Sequence, residues 1–379
     1  MQLARPLQND VSTEIIDVSA HPQFMDHHAI YRISGALEDG AQVVAFACVH
    51  NIALGPSLGG IRYKAYADEQ AALADGLRLS EAMTWKNAAI GLNHGGGKTV
   101  IMAPEGVKKP TRAILEIVAE GLNQINSAGA VYYGAQDMNI SQDDIDTLSA
   151  LSPWMRGKSA QDPNEVGGSP SPLTAMAVVE CIKVAAKHAL GKDSLEGVRI
   201  SMQGLGTVGG EMARLLHGAG AVLIGCDTKD AAFAELRAQG VVIEQVGLDE
   251  VYDVKADIFA PNAIGGILTD ASVQRLHEAG VKAVCGAANN QQQDQTGGAQ
   301  AKLMHSLGML YSPDYIVNAG GVFWVAEQGK NSVKARDYIR TQVAKCFGDV
   351  LAMADEHPQT DLATLARDYA EARVEAEAV

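Results

Sequence analysis

Three consecutive pieces constrain this chain most: Arg199-Ile-Ser-Met-Gln203, then Gly204-Leu205-Gly206-Thr207-Val208-Gly209, then Gly210-Glu-Met-Ala-Arg-Leu-Leu-His217. The first reads as a short buried strand and the last as a helix. The glycines between them have the spacing GxGxxG, weak alone but strong between a strand and a helix. The first glycine makes a tight turn, the second lets backbone approach a pyrophosphate, and the third lets the helix pack close to the strand. The helix start adds N–H groups and partial positive charge for phosphate. Residues Gly204 to Gly209, with Leu205, Thr207 and Val208 among them, are therefore the expected cofactor loop. The following strand, Ala221 to Cys226, ends at Asp227. A carboxylate there accepts from ribose hydroxyls and repels a 2′-phosphate, which favours NAD over NADP, although Lys229 lies nearby. A purely structural glycine turn is the alternative.

A 379-residue chain can hold two domains, and its 47% hydrophobic and 20% charged residues are ordinary for a globular enzyme. Before the cofactor loop, Val43–His50, Thr99–Ala103 and Ala130–Tyr133 read as strands. A turn-rich segment, Gly55-Pro-Ser-Leu-Gly-Gly60, follows the first of them. Asp68 can cap a helix reaching about Asn87, with Ala72, Gly76, Leu79 and Met83 on one face and Lys86 continuing it. Gly167-Gly-Ser-Pro-Ser-Pro172 reads as a linker into a further helix. Two amphipathic helices after Ser332 are expected to pack back on the first region. The fold class is thus α/β, with two domains separated by a cleft: 1–170 plus 341–379, and a Rossmann domain over 171–340.

The net charge of −15 argues against nucleic-acid and anionic-membrane partners. Any anionic substrate must then meet local positive charge. The five widely spaced cysteines, with no CxxC, fit reduced thiols of a cytoplasmic protein. Residues 1–10 contain no apolar core of signal-peptide length, and no run is long enough to span a membrane. No cluster has metal-ligand spacing, so no metal is expected.

Positive charge appears in Lys86-Asn-Ala-Ala-Ile-Gly-Leu-Asn-His-Gly-Gly-Gly-Lys98. Three glycines remove the Cβ atoms that would block approach of backbone or ligand. One ammonium could hold a substrate carboxylate and the other polarise the reacting bond; two solvated lysines are the alternative. Gly97-Lys98-Thr99 also looks like the end of a P-loop. That motif needs glycine where Leu92 stands, and its glycines leave a strand, whereas these enter one.

Together these pieces resemble the glutamate/leucine/phenylalanine/valine dehydrogenase family, in its branch acting on apolar amino acids. The matching stretches are Gly55–Gly60, Met83–Ala88, Gly91–Lys98, Ala135-Gln-Asp137, Pro170–Thr174, Gly204–Gly209, Ala287–Gln291 and Pro313–Gly321, in the family's order. The resemblance implies reversible oxidative deamination of an L-amino acid to a 2-oxo acid and ammonium, with hydride passing to NAD. It implies that Lys86 pairs with the substrate α-carboxylate, that Lys98 is the catalytic lysine and that Asp137 transfers protons. Asn289 would orient substrate and Thr174 would contact the nicotinamide carboxamide. The resemblance further implies a homo-oligomer assembled through the first domain.

Glutamate enzymes of the family carry a lysine before the paired glycines and a serine at the end of Ala-Gly-Gly-Val-x-x-Ser. Here those positions hold Leu58 and Val325. A carboxylate buried against them would lose several kcal/mol of hydration, roughly, without a partner. Leu58, Gly59, Gly60, Met83, Ala135, Val322 and Val325 form the expected substrate site, apolar and suited to leucine, valine or isoleucine. Phe323 and Trp324 leave phenylalanine or tryptophan as the alternative. A non-catalytic NAD-binding regulatory protein is the reading from another class; a hydroxy-acid dehydrogenase would need a His/acid pair with arginine that these motifs lack. Two departures stand out: Asp137-Met-Asn-Ile where the family often has Asp-Val-Gly-Thr, and His94, expected to change packing or support a neighbouring site residue rather than to be a new catalytic group.

Overall fold

The computed structural model describes residues 11–294 and 298–377, so the signal-peptide reading of residues 1–10 lies outside them. The chain divides into two compact units. One takes in the chain up to Ser169, Val325–Asn331 and the end from Arg373; the other takes in Pro170–Trp324 and Ser332–Ala372.

The first unit is built on a six-stranded sheet of β1 (Ser12–Ile15), β2 (Ala29–Ala36), β3 (Gln42–Asn51), β4 (Ser57–Lys64), β5 (Gly96–Met102) and β6 (Tyr132–Gln136). The spatial order is β1-β2-β3-β5-β4-β6. Strands β1, β2, β3 and β5 pair antiparallel in turn, whereas β4 runs parallel to both β5 and β6. Helix α1 (Glu69–Ala89) covers one face through Ala72, Leu73 and Leu77 against Phe46, Cys48 and Val100. Helices α2 (Arg112–Ile125) and α3 (Gln142–Leu151) build the other core, around Ile61, Tyr63, Val118, Leu122, Tyr132 and Leu148.

Two local expectations change here. The supposed turn at 55–60 is a turn only at Gly55, where φ is +121°; Ser57 to Gly60 open the interior strand β4. Its glycines mark close approach of other strands. A Cβ on Gly59 would collide with the Gly97 carbonyl. Helix α1 starts as expected, with Asp68 accepting from the Ala71 N–H at 2.7 Å. Its buried stripe, however, is Ala72, Leu73, Gly76, Leu77, Ser80, Thr84 and Asn87. Leu79, Met83 and Lys86 are half-buried on the flank. Three polar residues enter the stripe because they have partners inside: His27 Nε2 lies 3.0 Å from Ser80 Oγ, and His50 Nδ1 lies 2.7 Å from Thr84 Oγ1. Asn87 Nδ2 donates to the Leu58 and Gly95 carbonyls at 3.2 and 2.7 Å.

The second unit opens with α4 (Ser171–Leu190), ended by Gly191 at φ +66°. A wholly parallel sheet follows in the order β12-β11-β10-β7-β8-β9. Its strands are β7 (Arg199–Gln203), β8 (Val222–Cys226), β9 (Ile243–Gln245), β10 (Ile258–Pro261), β11 (Ala283–Val284) and β12 (Leu310–Tyr311). Helices α5 (Thr207–Gly218), α6 (Asp230–Ala238), α7 (Asp270–Glu278) and α8 (Ala299–Ser306) alternate with them. Short helices α9 (Asp314–Val317) and α10 (Gly320–Ala326) lead to α11 (Ser332–Glu356) and α12 (Leu362–Glu377). Helix α11 packs along α4, burying Ala335, Ile339, Val343, Cys346, Phe347 and Val350. By compactness, Ser332–Ala372 group with the second unit and the end from Arg373 with the first. Residues spaced three or four apart on α11 supply an apolar stripe, and α4, apolar along most of its length, is where that stripe is buried.

Candidate active site

Lys98 and Asp137 are brought together. Lys98 lies on β5 and Asp137 directly follows β6; Nζ stands 2.7 Å from Asp137 Oδ2. Side chains of residues i and i+2 on a strand share a face, so Lys98, Ala135 with Asp137, and Leu58 with Gly60 all present to the α1 side. Gly60 makes the meeting possible: a Cβ there would lie 2.7 Å from Asp137 Cβ and 3.1 Å from Lys98 Nζ. The Lys98 side chain is 6% exposed. Burial pulls its pKa below the ordinary lysine value, although Asp137 opposes this. For Asp137, burial pushes upward, yet Lys98 and Arg62 together outweigh it and hold the carboxyl below its ordinary range.

Arg62 escaped the sequence reading. Its Nε donates to the same Asp137 Oδ2 at 2.9 Å, and its Nη1 donates to Asp75 Oδ2 on α1 at 3.0 Å. Tyr66 Oη and Arg78 Nη2 donate to Asp75 at 2.8 and 2.9 Å. Among the described residues, Asp137 Oδ1 takes no hydrogen bond. The missed signal was period two: once Gly60 lies in a strand, Arg62 falls on its face.

The glycines before Lys98 serve backbone packing. A Cβ on Gly95 would collide with the Asn51 carbonyl and one on Gly96 with Thr84 and Ser80 of α1; one on Gly97 would lie 2.6 Å from the Tyr132 ring. Thus β5 begins wedged between β4 and α1, which fixes where Lys98 emerges. Gly97-Lys98-Thr99 lies inside this strand, so this stretch is not a P-loop. At the other end of this segment, Arg373 donates to the Ala88 and Leu92 carbonyls at 3.0 and 2.8 Å, a cation on the C-terminal turn of α1.

Leu58 and Ala135 are buried, at 1% and 6% exposure. Leu58 pairs with Tyr133 in register, so Tyr133 shares this face. Its ring carries the Arg156 guanidinium at 3.6 Å and meets the edge of His94. His94 Nδ1 lies 2.9 Å from the Pro56 carbonyl oxygen, and burial lowers the ring's pKa. Val325 is buried, with Cγ1 placed 3.3 Å from a Cβ built on Gly157. Phe323 meets Tyr338, and Trp324 carries the Arg336 guanidinium, both from α11. Val322, one turn before Val325, is half-buried.

Asn139 has φ +60°, a conformation glycine adopts freely and asparagine tolerates best among the others. Its Nδ2 donates to the Tyr63 carbonyl at 2.9 Å.

In the second unit, each glycine of the loop has its own cause. Gly204 has φ +94°. A Cβ on Gly206 would meet nothing within 4 Å, so that side is open to a ligand, and a Cβ on Gly209 would collide with the Gly204 carbonyl. Gly206 caps α5, and Thr207 and Val208 form its first turn. Asp227 stabilises the loop directly: Oδ2 accepts from Leu205 N at 2.7 Å and Oδ1 from Lys229 N at 2.9 Å. Two accepted bonds leave the carboxylate further lone pairs for hydroxyl groups. This arrangement fits the pyrophosphate and ribose of a dinucleotide. Thr174 lies in the first turn of α4, its Oγ1 donating to the Pro170 carbonyl at 3.3 Å. Asn289 is exposed after β11, and its Oδ1 accepts from Asn318 Nδ2 at 2.7 Å. Asn262, also missed in the sequence, accepts from the Ala287 N–H at 3.0 Å and so pins the start of that loop to the end of β10.

Among the described residues, no group of three or more His, Cys, Asp or Glu side chains could hold a metal ion, and no helix is long and apolar enough to cross a membrane. Two family models match: the Glu/Leu/Phe/Val dehydrogenase dimerisation domain over residues 27–161, and glutamate/leucine/phenylalanine/valine dehydrogenase over 228–377. Leucine dehydrogenase of Thermoactinomyces intermedius is 40% identical over 284 residues, covering 75% of this chain and 74% of the relative. Phenylalanine dehydrogenase of Lysinibacillus sphaericus is 37% identical over 305 residues, covering 79% and 76%. The crystal structure of L-tryptophan dehydrogenase from Nostoc punctiforme superposes with a TM-score of 0.76 at 29% identity, covering 93% of this chain and 97% of that one. With these matches joined to the lysine–aspartate pair and the glycine loop, the chain belongs to the glutamate/leucine/phenylalanine/valine dehydrogenase family and is a nicotinamide-dependent amino acid dehydrogenase.

Proposed function

We propose that the chain catalyses reversible NAD-dependent oxidative deamination of an apolar L-amino acid, with leucine, valine or isoleucine preferred. Amino acid, water and NAD+ give 2-oxo acid, ammonium, NADH and a proton. The observation that carries this reading is the pairing of buried Lys98 with half-buried Asp137, 2.7 Å apart, with Asp137 Oδ1 taking no hydrogen bond among the described residues. Lys86 binds the α-carboxylate. Lys98, biased by burial toward the neutral amine, takes a proton from the attacking water and as an ammonium polarises the oxo-acid carbonyl. Asp137 exchanges protons with the substrate nitrogen at Oδ1. Gly206, the first turn of α5 and Asp227 hold the dinucleotide, Thr174 its carboxamide, and Asn289 orients substrate. Bound NAD supplies the hydride acceptor.

The aliphatic preference is supported by the apolar, buried Leu58, Ala135 and Val325. The NAD preference rests on the Asp227 carboxylate. An aromatic preference, as in the phenylalanine and tryptophan relatives, has one observation in its favour: Tyr133 stands beside Leu58 on the substrate face. Homo-oligomers formed through the first unit fit its match to a dimerisation domain, and five buried free cysteines fit the reducing cytoplasm.

Incubation with NAD+ and a panel of L-amino acids at about pH 10, near the free lysine pKa, followed by NADH absorbance, tests the reading. Aliphatic substrates should give the highest kcat/KM. Higher values for phenylalanine or tryptophan would reverse the side-chain preference, and no turnover of any apolar amino acid would overturn the function.

A further inference from the structure

Two cations share one oxygen in this site. Lys98 Nζ and Arg62 Nε both face Asp137 Oδ2, at 2.7 and 2.9 Å. They differ in one chemical respect: the ammonium can release its proton, whereas the guanidinium stays charged throughout. Arg62 is also anchored from behind by Asp75, itself held by Tyr66 and Arg78. The Arg62 and Asp75 side chains are 15% and 12% exposed, which keeps water from screening them fully.

We propose that Arg62 is a positioning residue: it keeps Asp137 ionised and turned with Oδ1 outward while Lys98 alternates between ammonium and amine, and Asp75 meters how much of the guanidinium charge reaches the pair. This rests on the reading of Lys98 and Asp137 as the reacting pair. Were Lys98 the sole cation, each deprotonation would leave the Asp137 carboxylate buried without a counter-charge, and the lysine would resist giving up its proton. With Arg62 present, Asp137 keeps a partner in both states. The second positive charge also favours the neutral amine. The charged groups facing Lys98 are Asp137 after β6, Arg62 on β4 and Asp75 on α1; Tyr66, Tyr132 and Cys48 are neutral neighbours whose burial keeps them so. Only a planar fork spans both carboxylates here: Nε serves one and Nη1 the other. A lysine at this position would keep charge but could not reproduce the two-sided geometry.

The test compares pH profiles of kcat/KM for deamination in wild type, Arg62→Met, Arg62→Lys and Asp75→Asn, with Lys98→Met as control. Arg62→Met should move the acid limb up by about one pH unit or more and lower kcat at least tenfold, with a smaller change in the amino-acid KM. Arg62→Lys should leave the limb near its wild-type position while kcat still falls. Asp75→Asn should move the limb the other way, to lower pH, because it removes a negative charge. Opposite shifts in Arg62→Met and Asp75→Asn are the signature; a purely structural role would not order them by charge. A limb unmoved in Arg62→Met, or moved in the same direction in both, overturns the proposal. If Arg62→Met does not fold, the limb of Asp75→Asn must lie below that of Arg62→Lys, and coincidence of the two overturns it. Turnover retained in Lys98→Met would instead overturn the reading of the pair itself.

Discussion

Gly60 on β4 and Asp137, just past the end of the neighbouring parallel β6, lie so close that a Cβ on Gly60 would stand 2.7 Å from Asp137 Cβ. The same Cβ would stand 3.1 Å from Lys98 Nζ. The glycine is therefore a condition of the lysine–aspartate pair. Gly60→Ala should push Asp137 away from Lys98 and Arg62. Overpacking of this kind costs about 1–3 kcal/mol of stability, and a displacement on the order of 1 Å in a reacting group costs on the order of 100-fold in rate. Denaturant unfolding and kcat measured on the same preparation check both. A folded Gly60→Ala enzyme with wild-type kcat would show that the contact is relaxed easily.

The buried ammonium has a sign in the stability profile. Lys98 binds its proton less readily in the folded protein than in the unfolded chain, mainly through burial. Between its depressed folded pKa and the ordinary value of 10.5 the unfolded state therefore holds more protons, and stability rises with pH. Asp137 works at the other end, where its stabilisation is lost as pH falls below 3.8 through its depressed folded pKa. Lys98→Met should flatten the rise on the alkaline side. Thermal unfolding of both proteins across pH 7 to about 10 measures it; a wild-type curve parallel to that of Lys98→Met would contradict the assignment.

Much of the second unit was legible because its determinants are local. Strand, glycines and helix follow one another in the chain; Gly204 answers to its φ and Gly209 to a close approach, while Gly206 leaves its side open. In the first unit the determinants come from elsewhere in the chain. Gly59 and Gly60 look like turn residues, and only the positions of the Gly97 carbonyl and Asp137 reveal why a central strand needs them. Ser80, Thr84 and Asn87 look like a polar face until His50, His27 and the Leu58 and Gly95 carbonyls supply their partners. Arg62 was hidden by the same misread turn. The apolar stripe of α11 announces a partner without saying which one, so its seat on α4 could not be read from periodicity.

Asp227 has two tasks that a substitution can separate. Its Oδ2 holds the Leu205 N–H of the glycine loop and its Oδ1 holds the Lys229 N–H. Asp227→Ser removes the negative charge that would repel a 2′-phosphate and leaves the exposed Lys229 side chain nearby. The ratio of kcat/KM for NADP over NAD should rise by about 10- to 100-fold, a change on the order of 1–3 kcal/mol. The KM for NAD should also rise, because the glycine loop loses its charge-assisted anchor at Leu205. Steady-state kinetics with each cofactor decide it, and an unchanged ratio would remove Asp227 from cofactor choice.

Asn139 tests whether the departure after Asp137 is conservative. Its φ of +60° suits glycine and asparagine, and its Nδ2–Tyr63 carbonyl bond ties the turn to β4. The turn starts at Asp137 itself, whose carbonyl accepts from Ile140 N at 3.2 Å. Asn139→Gly relieves the backbone but loses the side-chain bond; these terms, each about 1 kcal/mol, nearly cancel. Asn139→Val keeps neither advantage and places a β-branched residue in the left-handed region, costing about 2 kcal/mol or more. Because strain there reaches Asp137 through the turn, the valine variant should lose kcat more than KM, while the glycine variant stays close to wild type. Unfolding curves and steady-state kinetics of the two variants measure this ordering, and equal stability in both would mean that the turn can re-form with φ below zero.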